Sequence, residues 1–201
     1  DTVVFQCNGN LNIQYNQPNS IVALNRLMYC ATDVNHSALL LLVNGNFNIG
    51  GLYNGEFNSN NSYGSEVVTV NGNFDISNGN NYFNTIPDSV LMGHMTTFLI
   101  GGNTTISGGK TVFSSKEGDL YMDFTGTYFQ SGGKVILKKL DGITEVYFHG
   151  NWTFSSGDFI LYEVTKPLTM SKQFTVNFYQ DFIHSGGSVK FFDCTSFMTQ
   201  L

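Results

Sequence analysis

The chain has 201 residues, 41% of them hydrophobic and 12% charged, with a formal net charge of −6. Its 22 glycines, 18 phenylalanines and 10 tyrosines supply material for one sizeable core and argue against disorder. Nine lysines and arginines are too few for the concentrated positive surface that nucleic acid requires. The densest basic spot, Lys138-Lys139, is interpreted as a solvated strand end. The longest apolar run, 38–43, suits one buried strand and is far shorter than the roughly 18–20 residues of a membrane span.

A short phrase recurs along the chain: an apolar residue, any residue, Gly, Asn, then alternating apolar positions, then Ser and a turn that contains glycine. In chain order the copies lie at 7–13, 43–49, 70–77, 100–107, 124–131, 148–155 and 178–185. Equivalent positions are separated by 36, 27, 30, 24, 24 and 30 residues. A period near 28 with insertions absorbed in each unit is typical of a solenoid.

Within each unit the apolar residues alternate with period two, which predicts strands rather than helices. The clearest predicted strands are 120–124, 134–138, 143–148, 159–163 and 173–178. Paired glycines at 108–109, 132–133 and 186–187 are predicted to form corners, because glycine adopts positive φ without strain. Only the stretch 20–29 is compatible with a short capping helix.

These features predict an all-β fold, a right-handed single-stranded parallel β-helix (β-solenoid) of about seven coils of 24–36 residues. The whole of 1–201 is then a single domain, with 1–42 as the first coil and N-terminal cap region and 43–193 as regular coils. We expect 194–201 to be the start of a further coil or a truncated end. Because the first residue is Asp1, we expect either a mature product without its signal or a piece of a longer protein.

Stacking the copies places equivalent residues in columns, about 4.8 Å apart along the solenoid. The two apolar columns contain Cys7, Val43, Val70, Ile100, Phe124, Phe148 and Phe178, and Leu11, Phe47, Phe74, Thr104, Tyr128, Trp152 and Phe182. We predict that both columns face the core, where each aromatic ring buries on the order of 150–250 Å². The alternative for the second column is a solvent-facing sugar platform.

Two polar columns accompany the apolar ones. They contain Asn10, Asn46, Asn73, Asn103, Thr127, Asn151 and Asp181, and Ser77, Ser107, Ser131, Ser155 and Ser185. The first is predicted to be an asparagine ladder, in which each side-chain amide donates to the equivalent amide one coil away. The serines are predicted to bond nearby backbone in the turns. Valine at Gly72 or Gly150 is predicted to destabilise the fold more than the same change in the 53–65 insertion.

Three cysteines, Cys7, Cys30 and Cys194, are too few and too scattered for a disulfide framework or a zinc site. Cys7 occupies an apolar slot and is predicted to be a small buried hydrophobe, with a Cys7–Cys30 bridge as the alternative. Patterns for N-glycosylation begin at Asn35, Asn60, Asn103 and Asn151. We interpret these patterns as coincidence, because the last two lie inside the asparagine ladder.

An enzyme acting on polysaccharides would need clustered carboxylates on one outer face. Asp119, Asp123 and Glu145 come closest, but Asp123 is predicted to point outward and the face of Glu145 is ambiguous. Three or more carboxylates converging in a groove from adjacent coils would favour catalysis. We predict no catalytic, cofactor-binding or metal-ligating residues.

His149 and His184 lack a cysteine or aspartate partner at the spacing of a zinc site or a nucleophile. His149 is predicted to stand in an outward column with Thr125 and Tyr179, while His184 takes a slot that is apolar in other copies. The remaining two, His36 and His94, lie in insertions. We interpret all four as surface or satisfied histidines.

The phrases Val-Asn-Gly-Asn-Phe-Asp-Ile-Ser at 70–77, Ser-Gly-Gly-Lys-Val-Ile-Leu at 131–137 and Gly-Asn-Trp-Thr-Phe-Ser-Ser-Gly at 150–157 resemble repeats of large secreted surface proteins of Bacteroidota. The resemblance extends from residue 7 to about 193. It implies a long β-solenoid or adhesin, often exported by the type IX secretion system. It carries over no catalytic residues, and no carboxy-terminal sorting domain is visible.

We therefore expect a non-catalytic extracellular structural or adhesive β-solenoid module of a cell-surface or secreted protein, without cofactors. Its expected partners are glycans or other surface proteins, within a larger polypeptide or assembly, and not nucleic acid. The alternative is a carbohydrate-active β-helix of the polysaccharide lyase or hydrolase kind, or a glycan-binding protein like a phage tail fibre. The variable stretches 14–42, 52–66 and 79–96 are predicted to hold the functional contacts.

Overall fold

The computed structural model describes residues 2–26, 38–61, 65–83, 95–114, 118–138, 142–164 and 173–194. The regular secondary structure within these ranges consists of β-strands alone, and every strand pairing is parallel. The prediction of an all-β parallel fold is therefore confirmed. The alternative of a short helix is wrong, because Ile21–Arg26 forms a strand.

The strands form three sheets of seven strands each. Sheet 1 contains β1 (Thr2–Cys7), β4 (Ala38–Val43), β7 (Ser65–Val70), β10 (Met95–Ile100), β13 (Asp119–Phe124), β16 (Thr144–Phe148) and β19 (Phe174–Phe178). Sheet 2 contains β2 (Leu11–Gln14), β5 (Phe47–Gly50), β8 (Phe74–Ile76), β11 (Thr104–Ile106), β14 (Tyr128–Gln130), β17 (Trp152–Phe154) and β20 (Phe182–His184). Sheet 3 contains β3 (Ile21–Arg26), β6 (Glu56–Asn61), β9 (Asn80–Phe83), β12 (Lys110–Ser114), β15 (Lys134–Lys138), β18 (Asp158–Val164) and β21 (Ser188–Cys194).

The chain visits sheets 1, 2 and 3 in turn and then returns to sheet 1, so each strand pairs with its counterparts in the adjacent coils. This arrangement is a β-solenoid. The corner between sheets 1 and 2 has three residues in every coil. The corner between sheets 2 and 3 has six residues in the first coil (15–20), five in the second (51–55) and three in the others.

The register in sheets 1 and 2 follows the alignment of the repeated phrase. In sheet 1 the paired residues are Cys7, Val43, Val70, Ile100, Phe124, Phe148 and Phe178. In sheet 2 they are Leu11, Phe47, Phe74, Thr104, Tyr128, Trp152 and Phe182. Both predicted columns are therefore confirmed as stacked positions.

These columns line a continuous apolar core enclosed by the three sheets. Trp152 is 1% exposed, and its indole stacks nearly parallel to the rings of Tyr128 and Phe182 at centroid distances of 5.9 and 4.5 Å. Neighbouring rings thus occupy both faces of the indole. This confirms the prediction of an aromatic core and shows that the sugar-platform interpretation is wrong for Trp152.

The last coil, β19 to β21, exposes residues that belong to the interior columns. Phe178 and Phe182 are 38% and 49% exposed, whereas their counterparts one coil earlier, Phe148 and Trp152, are 0% and 1% exposed. Each strand of this coil has a hydrogen-bonded neighbour on one side only in the described sheets. The apolar interior is therefore open at this end of the described solenoid.

The asparagine ladder exists, but its hydrogen bonds differ from those predicted. In four successive steps, the side-chain Oδ1 of an asparagine accepts the backbone N–H of the equivalent residue in the next coil, at 2.8–3.0 Å. The acceptors are Asn10, Asn46, Asn73 and Asn103, and the last donor is Thr127. Bonds between two amides occur instead at the first corner position. There Asn44 Nδ2 donates to Asn8 at 3.1 Å, and Asn71 Nδ2 donates to Asn44 at 3.0 Å.

The serine column also makes bonds between coils rather than within turns. The hydroxyls of Ser77, Ser155 and Ser185 lie 3.4–3.5 Å from carbonyls of the preceding coil, which also accept the backbone N–H of the same serine. The prediction of local turn bonds is wrong for these three serines. Their polar groups instead reinforce the stacking of coils.

Two kinds of glycine occupy the corners. The second residue of each Gly-Gly pair has positive φ, 73° at Gly109, 70° at Gly133 and 81° at Gly187, as predicted. Gly150 is required for another reason, because a Cβ there would lie 2.6 Å from the Gly126 backbone of the preceding coil. Close stacking of backbone therefore restricts this position to glycine.

The expectation that valine is tolerated better in the 53–65 insertion fails at Gly55. A Cβ there would lie 2.1 Å from the Tyr15 ring. The 53–65 insertion therefore offers no permissive comparison at Gly55. Gly9, where a Cβ would meet nothing within 4 Å, is the suitable control.

Several outward residues in the middle of sheet 3 are unexpectedly buried. Val112, Ile136 and Ile160 form a small cluster outside the main core, each 0% exposed. Lys138 is also 0% exposed, and its Nζ donates to the Gly118 carbonyl. The interpretation of Lys138 as a solvated residue is therefore wrong, whereas Lys139 lies outside the described residues.

Candidate functional site

The outer face of sheet 1 carries a checkerboard of tyrosines and carboxylates in β13 and β16. Tyr121 pairs with Glu145, and Asp123 pairs with Tyr147. Because side chains two residues apart share a face of a strand, all four point outward and like groups lie on the diagonals. The structure thus resolves the ambiguity of Glu145 and confirms the outward direction of Asp123.

Each phenol of the checkerboard is hydrogen-bonded to a carboxylate on its own strand. Tyr121 Oη donates to Asp123 Oδ2 at 3.4 Å, and Tyr147 Oη donates to Glu145 Oε2 at 3.5 Å. Desolvation, followed by the nearby carboxylates, raises the pKa of both tyrosines. The single hydrogen of each phenol is therefore already donated to the carboxylate two residues away on the same strand.

His149 lies beside this checkerboard, as its predicted outward column requires. Its Nε2 lies 3.3 Å from Asp123 Oδ1, and its ring stacks on Tyr179 at 4.7 Å. His184 pairs with Phe154 in sheet 2 and is exposed because it belongs to the open coil. The other two histidines, His36 and His94, lie outside the described residues.

Asp119 does not converge with the other two candidate carboxylates. It lies four residues before Asp123 on the same strand, about 13 Å away along the chain. Its Oδ1 accepts the backbone N–H of Ile143 at 2.9 Å, which links two successive coils. Within the described ranges, no three His, Cys, Asp or Glu side chains are arranged to hold a metal ion.

Of the cysteines, Cys7 is a half-buried free thiol whose Sγ lies 3.4 Å from the Gly9 carbonyl. Cys30 lies outside the described residues, so the alternative of a Cys7–Cys30 disulfide is not tested by the structure. Cys194 ends β21 in sheet 3. Cys7 therefore serves as a small side chain in the first coil.

A groove of about 320 Å³ runs along the outside of sheet 2, where the first four coils turn toward sheet 3. Its lining combines uncharged polar groups and one carboxylate with a larger apolar surface, to which Ile13, Ile49, Ile76 and Leu52 contribute. The lining side chains include Gln14, Asn16, Asn48, Leu52, Asp75, Ser77, Thr105 and Ser107. Such a concave surface is the ordinary setting of a binding site.

The two long corners, 15–20 and 51–55, form one wall of this groove and are tied to each other. The Tyr15 backbone N–H donates to the Gly50 carbonyl at 2.8 Å, and the Tyr53 N–H donates to the Tyr15 carbonyl at 3.1 Å. Asn78 Nδ2 donates to the carbonyls of Gly51 and Tyr53 at 3.3 and 3.2 Å. Four hydrogen bonds therefore fix the wall to the coils beneath it.

The Tyr15 side chain anchors this wall from inside. It is 0% exposed, and its ring lies where side chains at Gly55 and Gly79 would otherwise sit. Its Oη donates to Asn81 Oδ1 at 2.8 Å. Burial, and secondarily the charge of Glu56, raise the pKa of Tyr15 above its ordinary value.

We expect Tyr15→Phe to lower the free energy of unfolding at pH 7 by about 1–3 kcal/mol, because Asn81 loses its buried donor. Since the folded pKa lies above the unfolded value near 10, the stability that depends on this phenol is complete below pH 10. It is lost as the pH rises through the folded pKa. Urea unfolding between pH 7 and 11 should show a smaller alkaline loss in the variant. Tyr53→Phe, at a phenol that is 44% exposed, is the matched control, and equal profiles would contradict the anchoring role.

Sequence reasoning did not identify the groove. Gln14, Asn16 and Leu52 fall within variable stretches that were predicted to hold functional contacts, but Asn48, Asp75 and Thr105 belong to the repeat. The usable signal was the unequal length of the corner between sheets 2 and 3. A longer corner must extend beyond the shorter corners that stack on it.

The fold defines the chain as a parallel β-solenoid built from three sheets. No protein-family model matches it, and no curated protein or solved structure is significantly similar to it. Among the residues that the structure describes, there is no helix with the length and apolarity needed to cross a membrane.

Proposed function

We propose that this chain is an extracellular structural and adhesive module, a right-handed single-stranded β-helix within a larger polypeptide or assembly of a secreted or cell-surface protein. It holds glycans or other surface proteins by hydrogen bonding and does not cleave them. The resemblance of its repeat to secreted Bacteroidota surface proteins supports the location. The observation that carries the proposal is the open interior of the last coil.

That opening supports assembly with further coils. Phe178 and Phe182 are 38% and 49% exposed at positions that are buried in the preceding coil. A partner that covers both rings must also satisfy three parallel strand edges, those of β19, β20 and β21. Another solenoid coil meets these requirements together, because each described coil already pairs with its neighbours in this way.

The distribution of charge supports adhesion through uncharged polar groups. All described lysines and arginines lie in sheet 3: Arg26, Lys110, Lys134, Lys138 and Lys190. The outer face of sheet 2 instead presents residues such as Asn12, Asn48 and Thr105. Surfaces of this kind suit hydroxyl-rich partners better than anionic polymers, which are held by basic residues.

One experiment tests adhesion and cleavage together. Beads coated with the full chain are incubated with immobilised neutral polysaccharides and with cell-surface proteins, and bead retention and released sugar are measured. Retention without sugar release is the expected result. Absence of retention on every surface would refute the adhesive role.

Release of sugar would instead support the carbohydrate-active alternative. The observation that favours this alternative is the diagonal pair Asp123 and Glu145, with His149 3.3 Å from Asp123. The double variant Asp123→Asn/Glu145→Gln would then abolish the release. A release that persisted in this variant would place the chemistry elsewhere.

A further inference from the structure

The groove outside sheet 2 contains polar side chains that the protein itself leaves unused. The side chains of Gln14, Asp75 and Thr105 make no hydrogen bond to any residue in the described ranges, and the same holds for Asn16. Asn48 differs, because its Nδ2 donates to Asn12 Oδ1 at 2.7 Å. Amide, carboxylate and hydroxyl groups therefore line one concavity with their bonding capacity available.

The dimensions of the groove favour a short oligosaccharide. Its polar lining comes from four successive coils, so it extends over about 14 Å along the solenoid. Its volume of about 320 Å³ lies at the small end of the range for ligand sites. Leu52, which is 86% exposed at the rim, offers an apolar surface to the C–H face of a sugar ring.

The charge of the groove selects against an acidic sugar. Asp75 is its one carboxylate, and none of the described residues of sheets 1 and 2 is a lysine or arginine. A uronic acid would therefore meet negative charge without a counter-ion. The neutral amide and hydroxyl groups of the lining match sugar hydroxyls, and its apolar surface can contact the C–H faces of the sugar rings.

We propose that this groove binds a neutral oligosaccharide of about two sugar units through Gln14, Asp75 and Thr105. This proposal rests on the adhesive function proposed above and names the ligand class for one surface. The two long corners held by Tyr15 form the wall, so the site exists before the ligand arrives. Preformed walls lower the ordering cost of binding.

The test is isothermal titration of the full chain with three neutral disaccharides, cellobiose, lactose and maltose. Digalacturonic acid serves as the acidic probe and the glucosamine dimer as the cationic probe. We expect at least one neutral disaccharide to bind, and Thr105→Val to weaken it about 5- to 10-fold through loss of one hydrogen bond. Thr153→Val is the matched control, because Thr153 occupies the same outward column two coils away and outside the groove.

The outcomes separate this proposal from the proposed function. Failure of all three neutral probes, preference for either charged probe, or equal losses in the two valine variants would each overturn the groove assignment. If beads coated with the same chain still adhere, the adhesive function stands and lies on another face. If neither titration nor bead retention is seen, both proposals fail.

Discussion

Replacing Gly150 by valine is expected to lower the free energy of unfolding by about 3 kcal/mol or more. A Cβ at this position would lie 2.6 Å from both C and O of Gly126 and 2.8 Å from the Thr127 nitrogen. These are backbone atoms of the preceding coil, so no side chain can rotate to relieve the overlap. The coils must separate locally, which also breaks the hydrogen bonds at that corner. Urea unfolding followed by far-UV circular dichroism measures the loss.

Gly9→Val is the matched control for this experiment, because Gly9 occupies the equivalent corner of the first coil. A Cβ there meets nothing within 4 Å, and φ at Gly9 is not positive. We expect the control to lose less than about 1 kcal/mol. Similar losses at both positions would mean that close stacking is not what restricts Gly150.

Truncating Trp152 to alanine should cost about 3–5 kcal/mol, because it leaves a cavity in the middle of the aromatic core. The indole contacts rings of three successive coils, among them Tyr128, Phe159 and Phe182. Its loss therefore weakens both interfaces of the coil that contains it. The measurement must use circular dichroism, since Trp152 is the single tryptophan and the variant has no indole fluorescence.

Trp152→Phe separates packing from polarity in the same site. The Nε1 atom of Trp152 is buried and has no hydrogen-bond partner in the structure, so phenylalanine removes no polar bond. We expect this variant to retain more than half of the stability lost in Trp152→Ala. A phenylalanine variant as unstable as the alanine variant would show that ring stacking contributes little.

Register could be predicted from the sequence because a solenoid converts spacing along the chain directly into stacking. Aligning the Gly-Asn phrase was enough to place Phe148 on Phe124, and Trp152 on Tyr128, in adjacent coils. Alternation within each strand then decided which side chains face the core. Both steps use only the period of a strand and the closed path of a coil.

Hydrogen-bond partners and close contacts between individual atoms could not be predicted in this way. The asparagines accept a backbone N–H of the next coil, although the same residues could equally have bonded amide to amide. Gly150 and Gly109 are both corner glycines crowded by the backbone of the preceding coil, yet only Gly109 also has positive φ. Composition alone does not distinguish these causes.

The candidate site was predictable only in outline. The sequence predicted outward positions for Asp123 and His149 and left the face of Glu145 ambiguous, and the structure places all three on one outer surface with Tyr121 and Tyr147. The groove was missed because its wall depends on Tyr15 filling the space above two glycines, a contact across coils. A single sequence gives no sign of such long-range packing.

The hydrogen bonds that join the coils run parallel to the solenoid axis, and this direction has a mechanical consequence. Tension along the axis is carried by every interface in series, and an end coil pairs with a neighbour on one side only, so we expect coils to detach in sequence from an end. Each detached coil of 24 to 36 residues replaces a step of about 4.8 Å by roughly 80–120 Å of extended chain. The molecule therefore lengthens greatly under load while most of its coils remain folded.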